Sequence, residues 1–136
     1  MIDINTVLLV DDDDICNFVT KEIVDDMGIA REVCTALNGQ QALDLINEKA
    51  VNADLNGFFK PLLIFLDINM PVMDGFEFLD EFERLDASLR ENIYIVMLTS
   101  STDDEDIRVA KMHTISGYIP KPLTEEKLKE VVDKIY

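Results

Sequence analysis

The feature that most constrains the fold of this chain is a regular alternation between short apolar runs and longer segments of helical periodicity. Apolar runs of this kind recur five times along the 136 residues, at 6–10, 31–37, 61–66, 93–98 and 116–120. Continuous apolar runs of such length are typical of strands that are covered on both faces of a parallel sheet. The repeated strand–helix unit therefore predicts an α/β fold, a parallel sheet with helices on both sides.

Helical spacing of apolar residues predicts a helix after each of the five strands. The predicted helices span 14–27, 40–49, 75–86, about 104–113 and 124–135. In the first of them, five apolar residues repeat at helical spacing: Ile15, Phe18, Val19, Ile23 and Met27. The connection at 50–60 is unusually long, and the pattern leaves open whether it extends the second helix or forms a surface loop.

Several residues mark the predicted ends of these helices. Asp14 is expected to cap the first helix by accepting backbone N–H groups, with Asp13 solvated beside it. Gly28 is expected to end that helix, and Thr124 to cap the last one. His113, the only histidine, is expected on the surface near the end of the fourth helix.

Charge and composition limit the functions that this chain can have. The formal net charge is −16, from 28 acidic and 12 basic residues. Such a field repels nucleic acids and anionic membranes, so neither is an expected partner, whereas a cation or a basic protein surface is. With 48% hydrophobic residues and no long apolar span, we expect a single cytoplasmic domain over residues 1–136.

The residues that follow the predicted strands form a chemically coherent set. Asp11 and Asp12 follow the first strand, Asp67 the third, Thr99 the fourth, and Lys121 the fifth. Ligands of open α/β sheets bind beyond the carboxyl ends of the strands, so these side chains are expected to converge. Three neighbouring carboxylates require a cation, and Mg²⁺ prefers oxygen ligands. A remaining carboxylate can act as a nucleophile toward a phosphoryl group, whose charge a lysine and a hydroxyl would stabilise.

Four motifs in this order resemble a known family. The segments "VLLVDDDD", "IFLDINMPVMDGFEFL", "VMLTSS" and "GYIPKPL" together resemble the receiver (CheY-like) domain of two-component response regulators. The resemblance covers essentially the whole chain. It implies a doubly wound (βα)5 flavodoxin-like fold, a three-layer sandwich whose five parallel strands have the order 2-1-3-4-5.

The resemblance also implies which residues hold the metal ion and accept the phosphoryl group. Asp67 matches the phosphoacceptor. Asp11 and Asp12 match the acidic pair that binds Mg²⁺, with Asp12 as the more direct ligand and Asp11 acting through water. Asn69 matches the residue whose backbone carbonyl supplies a further metal ligand, beside Asp67 itself.

Three further positions are implied to respond to phosphorylation. Thr99 matches the hydroxyl residue that follows the phosphoryl group, and Lys121 matches the family's lysine. Tyr118 matches the aromatic position that turns inward when Thr99 moves. The Lys121–Pro122 bond resembles the family's cis peptide, which would aim the lysine into the site.

We therefore expect a phosphoacceptor protein of a two-component or phosphorelay pathway, not an enzyme beyond catalysing its own phosphorylation and dephosphorylation. Its expected partners are a sensor histidine kinase or a histidine phosphotransfer protein, and a downstream protein effector. The resemblance places the effector surface on the fourth helix, the fifth strand and the fifth helix. Two alternatives stay open: an interaction module with an unused site, and an aspartyl-phosphate phosphatase that turns over small substrates.

Overall fold

The computed structural model describes residues 4–56, 61–100 and 103–136, with the backbone alone for 52–56. Its helices and strands follow one another in the order β1 (Ile4–Val10), α1 (Asp14–Met27), β2 (Ala30–Ala36), α2 (Gly39–Asn56), β3 (Leu62–Leu66), α3 (Gly75–Glu83), α4 (Ala87–Arg90), β4 (Ile93–Thr99), α5 (Asp104–Lys111), β5 (Gly117–Pro120) and α6 (Glu125–Ile135).

The five strands form one parallel sheet in the order β2-β1-β3-β4-β5. This confirms both the α/β class and the strand order that the resemblance implied. At the carboxyl edge, Val10 of β1 is paired with Ala36 of β2 and with Leu66 of β3. Thr99 of β4 is paired with Pro120 of β5. The residues that follow β1, β3, β4 and β5 therefore leave the sheet at a common edge.

The sheet separates two apolar cores, as a three-layer sandwich requires. Successive residues of a strand point to opposite faces. In β1, for example, Leu8 and Val10 pack with α2, α3 and α5, whereas Val7 and Leu9 pack with α1 and α6. The three inner strands, β1, β3 and β4, are buried almost throughout. In the edge strand β2 only the last residue, Ala36, is buried, and the others are partly or fully exposed. The continuous apolar runs thus predicted the inner strands most directly.

Helix α1 has the predicted bounds, but the apolar residues of its first half face solvent, whereas Ile23 and Met27 pack against the core. Ile15, Phe18 and Val19 are 74%, 63% and 50% exposed. The buried residues of the helix include Asn17 and Thr20. Helical periodicity thus predicted the helix without indicating which of its sides packs on the sheet.

The cap of α1 lies one residue before the predicted one. Asp13, not Asp14, is the N-cap: its carboxylate accepts hydrogen bonds from Ile15 N at 2.9 Å and Cys16 N at 3.3 Å. The prediction of Asp14 was wrong because the cap residue needs an extended backbone, and Asp13 has φ −96° and ψ 106°. Asp14 is the first helical residue, where the helix dipole still favours its charge.

The other helix ends agree with the sequence more closely. Gly28 ends α1 in the left-handed conformation with φ 61°, and Thr124 caps α6 by accepting from Lys127 N at 3.2 Å. Helix α2 continues to Asn56, so at least that part of the long connection is helical; 57–60 lie outside the described residues. The one-turn helix α4 was not predicted, because four residues are too few to show a period.

His113 is more enclosed than the sequence indicated. Its side chain is only 13% exposed, with Nδ1 2.6 Å from Glu83 Oε1 and Nε2 3.8 Å from Asp80 Oδ1. Its ring stacks on Phe76 at a centroid distance of 6.3 Å. The expectation of a surface histidine was wrong because the turn after α5 lies against α3.

Among the described residues, no helix combines the length and the apolar character that crossing a bilayer would require.

Candidate functional site

Three carboxylates meet at the carboxyl edge of the sheet. Asp11 and Asp12 follow β1, and Asp67 follows β3 directly beside it, where Asp67 N donates to Val10 O at 3.0 Å. One carboxylate oxygen from each of the three acids lies within 4.8 Å of the others. Because β1 and β3 are adjacent and parallel, the convergence of these acids follows from the strand order.

Asp11 is buried and its carboxylate is held on both oxygens. Oδ1 accepts from Asp13 N at 2.9 Å, and Oδ2 accepts from Lys121 Nζ at 2.6 Å. Asp11 therefore has a fixed orientation within the site.

Asp67 and Asp12 differ in their surroundings. Asp67 is buried, and its Oδ1 accepts from Ile68 N at 2.8 Å while its Oδ2 accepts from Lys121 Nζ at 3.2 Å. Asp12 is exposed, and among the described residues its carboxylate has no hydrogen-bond partner. The ammonium group thus stabilises the two buried acids and leaves the third available to a ligand.

Lys121 reaches the acids from β5. Burial alone lowers the pKa of its ammonium, but the hydrogen bond to Asp11 and the charges of Asp67 and Asp11 outweigh burial and raise that pKa above its ordinary value. Lys121 therefore stays protonated. Lys121 N donates to Thr99 O at 2.9 Å, and the Lys121–Pro122 peptide is cis, as the resemblance implied.

Thr99 and Tyr118 are directed to the same side of the sheet. Thr99 is fully buried at the end of β4, two residues after Met97, which packs with the helices α2, α3 and α5. Tyr118 is partly buried against that same core. Asn69 is exposed and lies two residues beyond Asp67, in the loop that leads to α3.

The loop from Asp67 to α3 is tightly fixed. Gly39 N, at the start of α2, donates to Met73 O at 2.9 Å, and Gly75 N donates to Ile68 O at 2.8 Å. A Cβ atom at Gly75 would collide with the backbone carbonyl of Asp67, so a larger residue there would displace the acid itself. Between these anchors, Val72 has a φ of 69°.

Two residues near the acids were missed by the sequence analysis. Burial, and then the Asp11 carboxylate, raise the pKa of the Cys16 thiol. Asn17 is buried and donates from Nδ2 to the Asp11 carbonyl at 2.9 Å. The available signal was their position in the first turn of the helix that follows the acid pair.

The comparisons with known proteins agree with this geometry. A family model described as the response regulator receiver domain matches residues 7–133. The chain therefore belongs to the receiver domains of two-component response regulators.

Its relatives include chemotaxis proteins of similar length. The chemotaxis protein CheY of Halobacterium salinarum is 30% identical over 130 residues, which cover 95% of this chain and 94% of that protein. Chemotaxis protein CheY-3 of Vibrio cholerae is 31% identical, with 96% and 90% covered. The crystal structure of a two-component response regulator from Cytophaga hutchinsonii superimposes with a TM-score of 0.84 at 30% identity, covering 98% of this chain and 97% of the other.

Proposed function

We propose that this receiver accepts a phosphoryl group on Asp67 from a phosphohistidine, with Mg²⁺ as the cofactor, and thereby switches a protein-binding face. The observation that supports it most directly is the pair of hydrogen bonds from Lys121 Nζ to Asp11 and Asp67, next to Asp12, whose carboxylate has no partner among the residues that the structure describes. A salt bridge with a purely structural role would not need a third, unpaired carboxylate at the same point.

The donor set fits a hard divalent cation. All three converging side chains offer carboxylate oxygens, which Mg²⁺ prefers, and it commonly keeps water molecules for its other positions. Asp11, Asp12 and Asp67 would hold the ion together with the backbone carbonyl of Asn69. When bound, Mg²⁺ would neutralise charge on the transferred phosphoryl oxygens.

The surroundings of Asp67 suit it as the nucleophile. A carboxylate oxygen of Asp67 attacks phosphorus, the bond from phosphorus to the donor imidazole nitrogen breaks, and an acyl phosphate forms. The Lys121 ammonium, held by the two acids, stabilises the negative charge of the phosphoryl oxygens. The Thr99 hydroxyl moves toward the new phosphoryl group. Reaction with water reverses the modification.

The phosphohistidine partner is proposed to dock on α1. Ile15, Phe18 and Val19 form an exposed apolar stripe over the first turns of this helix, immediately after the acid pair. An exposed apolar patch beside a reactive group is typical of a protein-binding surface. With a net charge of −16 on this chain, the partner surface is expected to be basic around an apolar centre. A sensor histidine kinase or a histidine phosphotransfer protein would supply it.

The downstream effector is proposed to bind the face formed by α5, β5 and α6. Thr99 and Tyr118 both point to the core that α5 covers, so a movement of Thr99 toward a phosphoryl group frees space for Tyr118. Phosphorylation would thus favour one of two arrangements, and a downstream protein effector would bind the favoured one.

The test is phosphorylation by a small donor. The chain is incubated with Mg²⁺ and acetyl phosphate, and its intact mass is measured. We expect a gain of one phosphoryl group, which is lost in Asp67→Asn and retained in Asp26→Asn, an exposed acid at the far end of α1.

Other outcomes would support the alternatives. A wild-type chain that gains no mass would be an interaction module with an unused site, and a gain that survives Asp67→Asn would contradict Asp67 as the acceptor. Steady release of many phosphates per chain, dependent on Asp11 and not on Asp67, would identify a phosphatase.

A further inference from the structure

Asn17 is a buried amide on the inner side of α1. It is 5% exposed, and it lies where the helix crosses the carboxyl ends of β1 and β2. Its Nδ2 donates to the Asp11 carbonyl at 2.9 Å and has a longer contact of 3.5 Å with the Ala36 carbonyl. A buried amide must be hydrogen-bonded to be tolerated, and both of these acceptors are carbonyls at strand ends.

These bonds fix the backbone of Asp11 beyond the last residue pair of the sheet. Asp11 N donates to Ala36 O at 3.1 Å, and Asp11 O accepts from Asn17. Both polar groups of the Asp11 backbone are therefore held. The carbonyl that Asn17 holds belongs to the peptide between Asp11 and Asp12, so its orientation determines the direction in which the Asp12 side chain leaves the chain.

Asp12 depends on this peptide more than Asp11 does. The Asp11 carboxylate is oriented by Asp13 N and by Lys121. Among the described residues the Asp12 carboxylate has no such partner, so its position is set by the backbone alone.

We infer that Asn17 is a positioning residue of the metal site: its amide holds the Asp11–Asp12 peptide in the orientation in which both carboxylates bind one divalent cation. This inference rests on the proposed function, because it concerns the same site. Residues that orient metal ligands typically change metal affinity by about 10- to 100-fold when they are replaced.

The neighbourhood leaves few substitutes for this amide. The cavity behind it has a volume of about 10 Å³ and is lined by apolar residues together with Asn17 and three of its neighbours: Leu9, Val10, Phe65 and Leu98, and Asp11, Cys16 and Thr20. That volume holds at most about one water molecule. Asn17→Ala would open room for a water molecule to replace the amide, so Asn17→Leu is the sharper variant: its side chain has the same number of heavy atoms and the same branching at Cγ, and it has no donor.

The experiment measures Mg²⁺ affinity by calorimetry on the full chain. We expect Asn17→Leu to raise the Mg²⁺ dissociation constant by about tenfold or more. The matched control is Thr20→Val, an isosteric replacement of a polar residue with the same 5% exposure one turn further along α1. We expect the control to keep the wild-type dissociation constant, although both variants lower the free energy of unfolding in urea.

A second measurement, made without metal, tests whether the backbone around Asp11 keeps its conformation. Hydrogen exchange of the Asp13 amide, which donates to Asp11 Oδ1, should accelerate in Asn17→Leu and stay unchanged in Thr20→Val. If Asn17→Leu does not fold, Asn17→Val, which is smaller than leucine, has no donor and leaves less room for a water molecule than alanine, is measured in the same two ways.

The outcomes separate this inference from the proposed function. An Asn17 variant with wild-type affinity and exchange, in a chain that binds Mg²⁺ and is phosphorylated on Asp67, overturns the positioning role alone. Equal loss of affinity in Thr20→Val also overturns it, because the effect would then be general destabilisation. A wild-type chain that binds no Mg²⁺ overturns both.

Discussion

At the scale of single residues, the loop after Asp67 contains a backbone conformation that its sequence does not favour. Val72 is β-branched and has a φ of 69°, in the left-handed region. For an L-residue this conformation costs about 1–2 kcal/mol, and a β-branched side chain makes it less favourable still. The strain is held in place by the anchors on either side, Gly39 N to Met73 O and Gly75 N to Ile68 O.

Replacing Val72 should therefore stabilise the protein. Asparagine tolerates the left-handed region, so Val72→Asn should raise the free energy of unfolding by about 1 kcal/mol. Urea denaturation measures the change. Val51→Asn is the matched control, since Val51 is almost equally exposed but lies in α2, where no such strain is relieved. Val72→Asn that is no more stable than the wild type would contradict the account of strain.

The site residues differ in how far the sequence reveals them. Asp11 and Asp67 were predictable because strand ends can be read from apolar runs, and a parallel sheet brings those ends together. Asn17 was not, because its role depends on which side of α1 faces the sheet. The sequence around Val72 does not indicate its positive φ. The enclosure of His113 depends on how the turn after α5 packs against α3.

At the scale of helices and strands, an aromatic pair joins β4 to the residue that follows α6. The rings of Tyr94 and Tyr136 meet edge to face at a centroid distance of 5.3 Å and an angle of 77°. Burial, and then the neighbouring Tyr94, raise the pKa of Tyr136 to about 12. The folded state therefore favours the neutral phenol.

This pair gives a prediction for alkaline pH. An unfolded tyrosine ionises at about pH 10. Because the folded pKa is higher, Tyr136 contributes stability that is complete below about pH 10 and is lost as the pH rises toward 12. Across that window the wild type should lose more stability than Tyr136→Phe, as measured by urea midpoints. The same pH dependence in both proteins would contradict a role for Tyr136. The thiol of Cys34, whose pKa is raised to about 11, also ionises in this window, but it is present in both proteins and does not affect the difference between them.

Helices and strands were predictable where their apolar pattern is long enough and corresponds to the faces that are buried. The inner strands were found because burial on both faces makes most of their residues apolar, and α6 because its apolar residues lie on one side. Helix α1 was found for a partly misleading reason, since Ile15, Phe18 and Val19 are exposed and only the later apolar residues of the helix pack against the core. Helix α4 has too few residues for any period.

At the scale of the whole molecule, the acid trio adds local repulsion to a chain of net charge −16. Lys121 relieves this for Asp11 and Asp67, while Asp12 has no partner of its own among the described residues. A divalent cation at this point should therefore stabilise the folded protein, because a ligand that binds only the folded state shifts the unfolding equilibrium.

Magnesium should raise the free energy of unfolding by about 2.7 kcal/mol at a concentration 100 times its dissociation constant. Asp12→Asn should be more stable than the wild type without the metal and should lose most of the increment with it. Urea denaturation with and without Mg²⁺, at an ionic strength held constant with KCl, separates binding from general screening. Asp26→Asn is expected to keep the full increment. An undiminished increment in Asp12→Asn would contradict its role as a ligand.

The two cores on opposite sides of the sheet have a consequence for how complexes can form. The apolar stripe of α1 belongs to one layer, whereas Thr99, Tyr118 and α5 belong to the other. In the proposed function, a donor bound to α1 would not obstruct a rearrangement on the far side, because five strands separate the two. Helix α6, however, packs in the same layer as α1. An effector that extends onto α6 would therefore compete with a donor on α1, whereas one confined to α5 and β5 would leave room for a ternary complex.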